Sequence, residues 1–167
     1  EYAPWQRGLA LAALAPVFLA LIPTALIRSS ARLDQALRLP RLPGGRPIQA
    51  LGGVMTISGW LLGVWSVKAQ FDLGRGTPVP LMATQRLVVE PPYTYTRNPM
   101  ALGAIVMYLG LAVTRRSPAG IGLVLAAGAA LLTYIRRGEE AEMLARFGQD
   151  YVDYRERTPF LLPRLCR

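Results

Sequence analysis

The sequence predicts an all-α fold, a polytopic membrane helix bundle of about four transmembrane helices with a C-terminal amphipathic interfacial helix. Three observations predict it. The 167 residues are 52% hydrophobic with a mean hydropathy of +0.29, high for a soluble protein. The apolar residues fall in long blocks, as membrane spans require. The 19 basic residues sit mostly between those blocks, which suits loops facing anionic lipid headgroups and a bilayer as the surrounding partner. The length suits one domain, residues 1–167.

The first block covers residues 5–27, and a span needs about 20 residues. Pro16 and Pro23 lie inside it and are expected to kink or break the helix. The block is too long for a signal-peptide core and no small-residue cleavage site follows, so it reads as a span. The second block covers 48–68, with Pro47 suited to its first turn. Its Gly59-Trp60-Leu61-Leu62-Gly63 run lets two helices approach closely. The third block, 99–113, is short and opens on Pro99; the fourth covers 118–135. Only Thr114-Arg115-Arg116-Ser117 separates them, which makes a tight antiparallel hairpin. Gly122, Ala126 and Ala130 recur every four positions and read as the fourth helix's packing face. After Gly138, Leu144, Phe147, Tyr151 and Tyr154 fall at helical spacing, with Glu142, Arg146, Asp150 and Asp153 on other faces. Residues 139–157 are therefore an amphipathic helix, too charged to span, lying at the interface or capping the bundle. Pro159 and Pro163 force an extended tail.

The net charge of +9 invites a nucleic-acid reading, but a soluble basic domain would not carry such apolar blocks, so no nucleic acid is expected as a partner. Four spans put the N-terminus, the 69–98 loop and the C-terminal part on one side. That side holds twelve Lys and Arg against seven opposite, which places it in the cytoplasm. There is no histidine, and Cys166 is the single cysteine. The commonest general base and metal ligand are thus missing, together with any internal disulfide or zinc cysteine cluster, and no metal is expected.

The 69–98 loop is long enough to raise the expectation of function, and it holds Gly74-Arg75-Gly76-Thr77-Pro78-Val79-Pro80. Arg97-Asn98-Pro99 follows it. Pro99 suits a helix's first turn, and an arginine beside that positive end makes a carboxylate-binding corner. A snorkelling interfacial arginine is the plain alternative. Glu139-Glu140 sits just past the fourth block. In an antiparallel hairpin that is the level of Arg97. Such a pair could hold ribose hydroxyls, an ammonium or a sulfonium, or could start the next helix, where the dipole favours acids.

Taken in order, GTPVP, LVVEPPYTYTRNPMALG and EEAEMLARFGQDYVDYRERTPFLLP resemble the isoprenylcysteine carboxyl methyltransferase and phospholipid methyltransferase superfamily of small membrane enzymes, over roughly residues 50–163. Arg97, Asn98, Pro99, Gly103, Glu139, Glu140, Phe147, Gly148, Tyr151, Tyr154 and Pro163 match its pattern in order. The resemblance implies S-adenosyl-L-methionine as cofactor and methyl donor. It implies that Arg97, Asn98, Pro99, Gly103, Glu139 and Glu140 surround the donor, with backbone from Val89 through Tyr93 to Tyr95 closing the pocket. It also suggests Tyr151 and Tyr154 as substrate-binding residues, and a bacterial inner or plasma membrane with the active site facing the cytoplasm. Two positions depart from the pattern: Asn98 stands for the more familiar histidine, and Ala101 for the box's tyrosine.

Methyl transfer is an in-line displacement whose catalysis is mostly positioning and desolvation, so the missing histidine is tolerable. The expected acceptor is lipid-like or prenylated, methylated as an isoprenylcysteine carboxylate is. A phospholipid amine or a small thiol are the alternatives. An NADPH-dependent sterol-type membrane reductase and a non-enzymatic membrane protein are the readings outside the class.

Overall fold

The computed structural model describes residues 3–75 and 84–163, and these are helical with no strand among them. Helix α1 covers Pro4–Ala36, α2 Gly45–Asp72, α3 Pro99–Thr114 and α4 Pro118–Arg157. Three of them, α1, α2 and α4, are long and apolar enough to cross a membrane, while α3 is a shorter apolar helix. At 1.5 Å per residue α3 is about 24 Å long, short of the roughly 30 Å hydrocarbon core.

The prolines of α1 do not break it. The helix runs through them with a single π turn, Val17–Leu21, directly after Pro16. That turn has a local consequence. Ile22 N–H bonds to the carbonyl of Val17, one residue further back than in an α-helix. Pro23 has no N–H to offer. The Phe18 carbonyl is thereby left without a helical donor, and the Tyr108 hydroxyl of α3 donates to it at 2.8 Å. α1 extends nine residues beyond the expected span, to Ala36. Its apolar stretch is largely uncovered by protein. Polar ties hold it at three levels: the Arg7 guanidinium donates to the Phe71 carbonyl at 2.6 Å, Tyr108 reaches Phe18, and Asp34 accepts from the Ala119 amide at 2.9 Å.

The closest helix pair is α2 with α3, and glycine is the reason. A β-carbon at Gly52 would lie 2.7 Å from the Gly110 carbonyl oxygen, and one at Gly59 only 2.8 Å from the Met107 Cα. One at Gly103 would meet the Gly59 carbonyl oxygen at 2.8 Å. The predicted Gly59–Gly63 run is thus a contact face in which backbone packs on backbone, as small-residue interfaces in membranes do.

The fourth helix corrects its expected packing face. Gly122, Ala126 and Ala130 are exposed, and the packed stripe is Gly120, Val124 and Gly128. Gly128 sits against Ile105 of α3, where an added β-carbon would be 3.3 Å from that side chain. Both stripes recur at every fourth position and carry apolar or small residues, so spacing alone did not distinguish them. The predicted break after residue 138 is a second π turn, Ile135–Glu139, through which the helix continues to Arg157. The backbone leaves helical geometry only at Gly148, with φ 53° and ψ −126°. That positive φ suits glycine. Of the face expected inward, Tyr151 and Tyr154 belong to the buried cluster with Ala69, Val88 and Tyr93 and Phe147 packs on it, whereas Leu144 is exposed and Met143 packs there in its place.

Candidate functional site

The site end of the bundle is built on the connection between α2 and α3. Of the glycine-rich run, Gly76 to Pro80 lie outside the described residues, as does Cys166. From Thr84 onward the chain is tightly turned, with a cis peptide at Pro91–Pro92. Tyr93 N–H bonds to the Glu90 carbonyl at 2.8 Å, Tyr95 N–H to that of Pro92 at 3.1 Å, and the Thr94 hydroxyl donates to the Val89 carbonyl at 2.7 Å. Tyr93 is buried, and its carbonyl accepts the Tyr154 hydroxyl at 2.8 Å. Burial pushes the hydroxyls of Tyr93 and Tyr154 well above the usual phenol range, so both stay neutral.

Arg97 is the hub of a side-chain network beside this turn. Its guanidinium pairs with the Glu140 carboxylate and lies 3.3 Å from the Tyr151 hydroxyl. Its Nε donates to the Thr158 carbonyl at 3.1 Å, and its backbone N–H to that of Pro159 at 2.9 Å. The Phe160 ring lies against the guanidinium at 5.6 Å, with Arg136 at 4.7 Å from the same ring. The Arg97 and Glu140 side chains are only 11% and 15% exposed, so this ion pair is shielded from water. Burial and then the Glu140 charge raise the Tyr151 hydroxyl above its ordinary range. The network ties three distant segments: the start of α3, the α4 helix beyond its π turn, and the tail at 158–160.

A cavity of about 470 Å³ lies beside this network. One wall is Leu87, Val89 and Thr94; the other is Asp150, Asp153 and Arg157 of α4, with Tyr154 and Thr158. Asp153 accepts from the Gln149 amide at 2.8 Å and lies 3.9 Å from Arg157. Asp150 has no hydrogen-bond or ion-pair partner among the described residues. The volume falls in the range of small-molecule sites, about 300–1,000 Å³.

The structure sorts the residues singled out from sequence. Val89 and Tyr154 line the cavity. Arg97, Glu140 and Tyr151 form one network beside it. Tyr93 is buried behind Tyr154. Tyr95 is exposed, its ring 6.4 Å from that of Trp65. Asn98 turns its amide to the Phe160 carbonyl at 2.8 Å and so fastens the tail. Pro99 and Gly103 are buried positions of α3, and Ala101 is buried with them. Glu139 does not share the Arg97 partnership of Glu140, because adjacent residues on a helix point in different directions. More than a third of Glu139 is exposed. Even so, desolvation and the neighbouring Glu142 carboxylate raise its pKa above the usual range. The sequence reading missed Asp150, Asp153, Arg157 and Thr158 as cavity residues. The first three lie at i, i+3 and i+7, one helical face; from spacing, Asp150 and Asp153 read as the charged side of an amphipathic helix.

A profile of the phospholipid methyltransferase family matches residues 48–150, which covers α2, α3 and α4 as far as Asp150. The chain belongs to that family. It is also similar to methanethiol S-methyltransferase 2 of Bradyrhizobium diazoefficiens, with 36% identity over 102 residues. The match covers 61% of this chain and 37% of the relative, so the chain spans well under half of that protein's length. The family match ends before the 158–160 tail that fastens Arg97 and Asn98. Among the described residues, no three His, Cys, Asp or Glu side chains are grouped to hold a metal ion.

Proposed function

We propose that the protein is an S-adenosylmethionine-dependent membrane methyltransferase whose donor binds in the cavity between Val89 and the Asp150–Asp153 face. The observation that carries this reading is that cavity, set between a rigid turn and an acidic helix face at the polar ends of apolar helices. Its side chains fit the donor. Carboxylates suit ribose hydroxyls and a cationic amine or sulfonium, and Arg157 suits a carboxylate. S-adenosylmethionine supplies a methyl group on a positively charged sulfur, which leaves it as a neutral thioether. The protein's own part is positioning and exclusion of water. The Arg97–Glu140 network and the Tyr154–Tyr93 bond hold the two walls in register. The raised tyrosine pKa values keep those hydroxyls as hydrogen-bond donors rather than competing nucleophiles.

In this reading the site end faces the cytoplasm, where a polar donor is available. A lipid-like acceptor of the isoprenylcysteine type approaches laterally from the bilayer. A small thiol is the second reading, favoured by the similarity to a methanethiol S-methyltransferase.

Calorimetry on the purified protein in detergent tests the donor. S-adenosylmethionine and S-adenosylhomocysteine are expected to bind in the micromolar range, and Glu140→Ala or Asp153→Asn to weaken both. Binding of NADPH with no binding of either sulfur compound would overturn the proposal. Transfer of a labelled methyl group into a lipid extract, against transfer to methanethiol, separates the two acceptor readings.

A further inference from the structure

The opposite end of the bundle carries a second cavity, of about 280 Å³. It lies between the last turns of α1 and the Arg115-Arg116-Ser117 turn that joins α3 to α4. Its lining is mixed, with apolar Ile27, Ala31 and Leu39 beside the buried Ser30, the Asp34 carboxylate, Arg41 and Arg115. We propose that it binds the phosphate headgroup of an anionic membrane lipid, with Arg41 and Arg115 on the phosphate and the lipid's glycerol and acyl end against Ile27, Ala31 and Leu39.

Three observations carry this. The first is charge. Residues 28–46 and 115–117 hold seven arginines and one acidic residue, Asp34. The second is that Asp34 neutralises none of them. One carboxylate oxygen accepts the Ser117 hydroxyl and the other the Ala119 amide, both at the start of α4. Among the described residues no arginine forms a salt bridge with Asp34, and neither Arg41 nor Arg115 has an acidic partner. The third is that the rim is fixed without them. Arg116, at φ 55°, donates from Nε to the Leu42 carbonyl at 2.6 Å, and its own carbonyl accepts Leu42 N–H at 3.1 Å. Arg116 is thus a positioning residue that fastens the 37–44 loop to the turn and brings Arg41 to the cavity mouth. Guanidiniums without an ion-pair partner, beside apolar side chains at the end of apolar helices, match an amphiphile with an anionic head. The donor cavity lies at the other end of α3, about 24 Å away by helix rise. A lipid here is therefore not the methyl acceptor, and the proposal stands apart from the assignment of that reaction.

The test uses the full chain, delipidated in neutral detergent, and measures thermal protection and lipid retention by native mass spectrometry. The probes are phosphatidylglycerol, phosphatidylcholine and inorganic phosphate. Phosphatidylglycerol is expected to bind preferentially, and Arg41→Ala and Arg115→Ala each to weaken it about fivefold, as expected for one arginine at an anionic surface. The Arg41→Ala/Arg115→Ala double variant removes two charges at the cavity, and Arg28→Ala with Arg46→Ala removes two away from it and is expected to leave retention near that of the unmodified chain. Ala31→Trp fills the apolar side of the cavity without changing charge and is expected to reduce retention as well. Equal losses from the two arginine pairs, with Ala31→Trp silent, would mean diffuse attraction and overturn the site. Protection by inorganic phosphate equal to that by phosphatidylglycerol would overturn the assignment to a lipid.

Discussion

The two ends of the α3–α4 hairpin use the same residue types to opposite effect. At the start of α3, Arg97 meets Glu140 across 43 residues, and the pair is shielded and tied to Tyr151 and the tail. At the turn, Asp34 ignores the neighbouring arginines and caps α4, while Arg116 serves a backbone carbonyl. One end is charge-compensated and stapled together. The other is stapled through backbone groups and left cationic. The difference teaches that arginine count does not describe a membrane edge; what each carboxylate is bonded to does.

The largest expected effect tests the stapled end. Arg97→Ala leaves the Glu140 carboxylate shielded and unpaired, a loss of about 3 kcal/mol by the usual cost of breaking a buried pair. Thermal unfolding in detergent reads it. The Arg97→Ala/Glu140→Ala double variant should recover part of that loss; strictly additive losses would show that the two side chains do not act as a pair. At the opposite end, Asp34→Ala removes a carboxylate from the first turn of α4, worth about 1 kcal/mol. Arg116→Ala should cost about 1 kcal/mol or less, a single hydrogen bond to a carbonyl, and leave donor binding unchanged while Arg97→Ala weakens it. Comparable loss of donor affinity in both variants would erase the contrast between the ends.

The smallest effect concerns pH. The Glu139 carboxyl is raised in the folded protein, so the fold favours its protonated form. Ionising it costs stability as pH rises from the unfolded value, near 4.5, through the raised folded value. Glu139→Gln should therefore be slightly stabilising at neutral pH, with the gain vanishing in acid below the unfolded value. A melting-temperature difference that is the same at both pH values would show that the substitution acts through something other than this ionisation.

Much of the architecture was legible because its signals are local. Apolar blocks gave the helices, and Pro99 and Pro118 begin α3 and α4 as prolines in first turns should. The Gly59–Gly63 run announced a close approach, and at Gly59 a β-carbon would collide with the α3 backbone. The choice between Gly120–Gly128 and Gly122–Ala130 was not legible, because the bulk of Ile105 on another helix decides it. The same holds at the site. The meeting of Arg97 with Glu140 followed from antiparallel helices of similar length. The roles of Asp150 and Asp153 did not, because their partner wall is the loop at 87–94, folded by a cis peptide and turns that periodicity does not describe. The choice of Met143 over its neighbour Leu144 was not legible either, since both are apolar and lie one residue apart.

The bond from Tyr108 to the Phe18 carbonyl reaches a main-chain atom, and main-chain atoms are common to every amino acid. Position 18 can therefore drift among apolar residues over evolution without losing the attachment of α1. The constraint falls on its three accomplices instead: Pro23, which withholds a donor, the π turn at Val17–Leu21, which misaligns the ladder, and the hydroxyl at 108. In a set of relatives, these positions should change together or not at all, while the side chains around them turn over freely.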